Sequence, residues 1–164
     1  MVGAVIVAHS FIGKELIATA EYLVGQMNGI AAVSIDCKME AFEARQIISE
    51  AINQVDQGDG VLILTDLFGG SPSNLAFSFL NKEEVEVITG VNLPMILTFW
   101  NKRENMGLMG LAKTVQLSGM RSIVMAKNLL ETKDDWGENP SQGSDRLPTD
   151  KRPLGRKLIK GIGF

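Results

Sequence analysis

The chain holds a single histidine, His9, and it stands at the end of the apolar run Val2 to Ala8. A histidine packed for structure belongs inside an element. One at the tip of an apolar strand, with the small Ser10 after it, presents its imidazole at the surface. Asp66 holds the equivalent place after a second apolar run, Gly60 to Thr65 (GVLILT). An aspartate there can simply open the next turn. If it reaches His9, it accepts a hydrogen bond from one ring nitrogen and fixes the tautomer that leaves the other free as a nucleophile. Gly69-Gly70-Ser71-Pro72 follows, offering a flexible turn, an N-cap hydroxyl on Ser71 and a proline suited to the first helical turn. Alone this is a good helix cap. A helix start also presents unpaired N–H groups and the positive end of a dipole, which suits an anion. With His9 and Asp66 on the same rim, a phosphate pocket is the more economical account.

That rim requires particular elements. Val2 to Ala8 and Gly60 to Thr65 read as strands buried on both faces, as in parallel sheets. Ile30 to Ile35 and Val85 to Gly90 read as two more strands, and Arg121 to Ala126 (RSIVMA) as a short last one. Between them, helical spacing runs from about Gly13 to Val24, Ala41 to Val55, Pro72 to Leu80, Pro94 to Trp100 and Leu108 to Ser118. Strands alternating with helices call for an α/β fold: a doubly wound, mainly parallel sheet with helices on both faces. In such sheets ligands bind beyond the carboxyl ends of the strands, where strand order reverses.

The 164 residues, 45% hydrophobic and 21% charged, suit one globular domain with a tail. One histidine and one cysteine exclude an internal disulfide and any zinc site of His and Cys alone, so no metal site is expected. Gly13-Lys14 is followed by Glu15 with no glycine five residues before, and no G-x-G-x-x-G turn follows the first strand, so nucleotide cofactors lose their main support. No cofactor is expected. No apolar run approaches the 18 or so residues of a membrane span, which points to a cytoplasmic protein without direct membrane insertion. Residues 136–164 carry six basic and three acidic side chains; with −3 overall, residues 1–135 hold −6. So acidic a body argues against nucleic acid as the main ligand.

Three ordered blocks add a likeness: Val5-Ile6-Val7-Ala8-His9-Ser10, Asp66-Leu67-Phe68-Gly69-Gly70-Ser71-Pro72-Ser73-Asn74 and Gly90-Val91-Asn92-Leu93-Pro94-Met95. They resemble the IIA component of the mannose family of the bacterial phosphoenolpyruvate-dependent sugar phosphotransferase system, over roughly Val2 to Leu130. The resemblance implies a flavodoxin-like sheet and a homodimer that exchanges its last strand, antiparallel; here that strand is Arg121 to Ala126. It implies that His9 is phosphorylated on Nε2 by the phosphocarrier HPr and passes the group to a IIB component for sugar uptake. Asp66 would partner Nδ1, and Ser71 with the Gly69-Gly70 backbone, together with Ser10, would line the phosphate. The phosphotransfer subunit of dihydroxyacetone kinase resembles the His9 segment too, but the GGSPSN block fits it poorly.

Domain organisation is then a IIA-type phosphocarrier domain over 1–130 and a Pro/Gly-rich basic tail over 131–164. The tail reads as a flexible linker, although its last eleven residues, LGRKLIKGIGF, mix basic and apolar side chains that could dock on a partner or an anionic surface. Two other function classes stand beside the phosphocarrier: a regulatory module whose phosphorylation state a partner reads, and a flavodoxin-like domain binding a metal or nucleotide.

Overall fold

Strand β1 (Gly3–His9) is buried along nearly its whole length, and its side chains alternate between two cores. Ala4, Ile6 and Ala8 enter one face; Val5 and Val7 enter the other. Leu62 and Leu64 of β3 (Val61–Thr65) divide from Val61 and Ile63 in the same way. An apolar run without alternation is therefore the signature of strands covered on both sides. The structure is a computed structural model, and it describes residues 1–36, 38–80 and 84–127. Met1–Val124 form one compact unit. The tail over 131–164 lies outside the described residues, as does Cys37.

β2 (Ile30–Ile35) and β4 (Val85–Thr89) complete a four-stranded sheet in the order β2-β1-β3-β4, parallel throughout. Helix α1 (Ile12–Val24), α4 (Leu93–Lys102) and α5 (Leu108–Arg121) cover one face around Phe99, Ile96, Leu111 and Val115. Helix α2 (Ala41–Val55) and α3 (Ser71–Phe77) cover the other around Ile48, Ile52 and Ala76. The chain leaves β1 toward β2 on one side and returns to β3 on the other. The reversal of strand order thus falls between β1 and β3, and their carboxyl ends carry His9 and Asp66.

The alternation is as the sequence led us to expect, but α4 and α5 run on to Lys102 and Arg121, and two segments differ more. Helix α3 ends at Phe77 rather than Leu80, because the next amides bond three residues back instead of four: Ser78 to Leu75, Phe79 to Ala76 and Leu80 to Phe77. That is the tightened last turn common at helix ends. The expected strand from Arg121 to Ala126 does not form. Arg121 closes α5, Ser122 turns by donating its amide to Ser118 and Gly119, and Ile123 and Val124 are exposed and outside the sheet. A strand exists only where a neighbouring edge accepts its hydrogen bonds, and among the described residues no strand of the sheet pairs with that segment. No helix among the described residues is long and apolar enough to cross a membrane.

The opposite, amino rim of the sheet is pinned by a buried cation. Arg103 is 3% exposed; its guanidinium donates to the Asn28 carbonyl before β2 and to Gln57 Oε1 before β3. It also lies over the rings of Phe99 and Trp100, 5.3 and 5.5 Å from their centres. Burial pushes its pKa down while nearby Glu104 pushes it up, and the balance is a lowered value. The rings supply attraction that a carboxylate would otherwise provide. Arg103→Ala should cost about 2–4 kcal/mol, since it removes the tie to the Asn28 carbonyl and leaves a cavity where a buried side chain packed on two rings. Thermal unfolding checks this: a midpoint unchanged from wild type would show that the pin bears no load.

Candidate functional site

His9 is the last residue of β1, paired across to Ile35 of β2, and its side chain is 37% exposed. Immediately beyond, Ser10 adopts φ 52°, the left-handed region that costs a non-glycine residue energy. The chain bends there at once into α1 and leaves the imidazole on the rim.

Asp66 follows Thr65 directly, and its side chain is 9% exposed. Its Oδ2 accepts twice from one residue: from the backbone N–H of His9 at 2.9 Å and from His9 Nδ1 at 2.7 Å. Oδ1 accepts the backbone N–H of Leu67 at 2.9 Å. Burial alone would raise the Asp66 pKa, but these three hydrogen bonds and the imidazole's charge outweigh it and hold the carboxyl below its ordinary value. An ionised carboxylate can only accept, so Nδ1 carries a hydrogen, and in the neutral form of the ring the lone pair is then on Nε2.

The double glycine completes the wall. Gly69 adopts φ +85°, where side chains are strained, and a Cβ built on Gly70 would stand 3.0 Å from His9 Cε1. The Gly70 backbone thus lies against the ring edge between the two nitrogens. The N-cap differs from expectation: Gly70, extended at φ −79° and ψ 168°, holds that position, and Ser71 is the first helical residue, exposed and without a capping bond. The stitching hydroxyl belongs to Ser73, whose Oγ accepts the Gly69 N–H at 3.0 Å and donates to the Gly70 carbonyl at 2.9 Å. Sequence reasoning missed it, because a serine inside a helix reads as surface. The available signal was its place three residues after a glycine N-cap, where a short hydroxyl can bond back to the loop. With seven residues, α3 has little dipole to offer. What it presents is local: the Ser71 hydroxyl and first-turn amides that have no intrahelical acceptor.

The structure therefore joins His9 and Asp66 at the reversal of strand order and sets Gly70 beside them, with Ser10, Gly69 and Ser71 as their chain neighbours. A parallel sheet of this winding, with a carboxylate-held imidazole at its switch point, belongs to the flavodoxin-like α/β class. The family model described as the PTS system fructose IIA component matches residues 3–116. The chain belongs to this mannose- and fructose-type IIA component family of the sugar phosphotransferase system.

Among relatives, the PTS system mannose-specific EIIAB component of Escherichia coli (strain K12) is 33% identical over 97 residues, 58% of this chain and 30% of that protein. The chain thus spans less than a third of that relative. The PTS system fructose-specific EIIA component of Bacillus subtilis (strain 168) is 28% identical over 133 residues, covering 80% of this chain and 90% of that one. The crystal structure of phosphotransferase system component EIIA from Streptococcus agalactiae shares the fold, with a TM-score of 0.71 at 22% identity over 78% of this chain and 99% of the other.

Proposed function

We propose that this chain is a cytoplasmic phosphohistidine carrier. His9 Nε2 attacks the phosphorus of phospho-HPr, the donor's N–P bond breaks as the new one forms, and the group then passes to a IIB component for sugar uptake. The observation that supports this most is the 2.7 Å contact of Asp66 Oδ2 with His9 Nδ1, which leaves Nε2 as the ring's nucleophile. When Nε2 bonds phosphorus the ring gains positive charge, and the carboxylate offsets it without taking the proton. Ser10, Gly70 and Ser71 would surround the phosphoryl oxygens with backbone amides and hydroxyls, and Gly69, whose own amide is held by Ser73, would shape the loop that carries them. Positioning and charge stabilisation of this kind are what phosphoryl transfer demands. Phe11, Leu67 and Phe68, the chain neighbours of the pair, are all exposed and would meet the donor protein. The test is incubation with phosphoenolpyruvate, enzyme I and HPr, then mapping of the acid-labile phosphate; label on any residue other than His9 would refute the assignment.

We further infer a homodimer. Strand β4 is an outer strand of the sheet, and beside it runs a groove of about 640 Å³ lined by Phe68, Phe77, Ile88, Met109, Met120 and Ile123. An open apolar edge invites another strand. The exposed Ile123 (82%) and Val124 (53%) have the character of one, so the part of Arg121 to Ala126 that follows α5 would pair antiparallel with β4 of a second copy. Sedimentation equilibrium at micromolar concentration should give twice the chain mass. A monomer there would remove the exchange.

A further inference from the structure

We propose that Ser73 is a positioning residue for the transfer at His9, an inference that rests on the carrier reading above. Its hydroxyl is fully buried and spends both its hydrogen-bonding roles on one loop, accepting from Gly69 and donating to Gly70. Those two bonds fix the peptide planes on either side of the Gly69–Gly70 link. Gly70 is also where the loop comes nearest to crowding the imidazole, since a Cβ there would stand 3.0 Å from Cε1 beside Nε2. The Gly70 carbonyl is held a second time by the Asn74 amide at 3.1 Å, so the loop is anchored to the first turn of α3 from two directions. Ser73 meets no reacting atom. It acts by setting, before any phosphate arrives, the shape of the wall against which the phosphoryl group must fit, and preset donors cost no reorganisation during reaction.

A merely structural serine predicts something else: its loss would lower stability and leave the chemistry of folded molecules alone. The two are separated with the full chain, enzyme I, HPr and phosphoenolpyruvate. Ser73→Ala should lower the rate of His9 phosphorylation at saturating phospho-HPr by about 10-fold or more, with KM for phospho-HPr near wild type. Hydrogen exchange at the Gly69 amide, which loses its acceptor, should quicken in the same variant. Val115→Ala, on the opposite face of the sheet and fully buried, serves as the destabilised control and should leave both readouts unchanged. If Ser73→Ala does not fold, Ser73→Cys keeps the shape with weaker bonds and is read in the same way. A Ser73→Ala or Ser73→Cys protein that transfers at the wild-type rate overturns the proposal alone. Wild-type protein that takes no phosphate on His9 overturns the carrier reading and this proposal together.

Discussion

His9→Ala leaves a folded protein that takes no acid-labile phosphate from phospho-HPr. The loss should be complete to background, because the chain has no second histidine to accept the group. Folding should survive, since the imidazole is more than a third exposed and the core beneath it belongs to Val5 and Val7. The backbone N–H of residue 9 also keeps its bond to Asp66 Oδ2, so the end of β1 stays tied to the loop after β3. Two measurements decide the matter: phosphate stoichiometry and the unfolding midpoint. Undiminished phosphate would mean that the nucleophile lies elsewhere, and a collapsed midpoint would mean that His9 is a structural residue.

Asp66→Asn is expected to slow transfer by about 10-fold or more without abolishing it, because the group orients the reacting histidine and does not itself react. The carboxamide keeps the size of the side chain but can also donate, so the Nδ1–H tautomer is no longer enforced. It also lacks the charge that balances a phosphorylated ring. A pH dependence follows from the lowered carboxyl pKa. Because the folded value lies below the ordinary 3.8, the ionised carboxylate stabilises the native state above that pH. The contribution is lost as pH falls through the lower, folded value. The difference in unfolding midpoint between wild type and Asp66→Asn should therefore be widest near neutrality and close in strong acid. A transfer rate equal to wild type would return Asp66 to the role of a turn residue.

Much of this was legible from residue types alone, for identifiable reasons. Strands β1 and β3 are apolar on both faces, and a run such as Gly60 to Thr65 has no other economical use in a chain of this composition. Helix α2 appears at its observed bounds because its apolar residues keep one stripe from Ala44 to Val55. His9 and Asp66 were readable because each directly follows such a strand. The hidden parts depend on what distant segments supply. Ile123 to Met125 look like any strand, yet whether they become one is decided by an edge outside their own sequence. The N-cap at Gly70 rather than Ser71 turns on a single dihedral. Arg103 gives no sign of burial, since arginines usually reach solvent; only the loops before β2 and β3 and the rings of α4 make a place for it.

The Arg103 pin and the His9 rim occupy opposite ends of one sheet, and that separation has an evolutionary consequence. Residues well apart that share no partner contribute almost additively to stability. The amino end can therefore drift, gain heat tolerance or lose it, without disturbing the orientation of the imidazole. The carboxyl end can exchange its surface residues for those of a different donor or acceptor without endangering the scaffold. Such a layout lets partner preference diversify across descendants of one ancestral chain while the frame beneath is inherited intact.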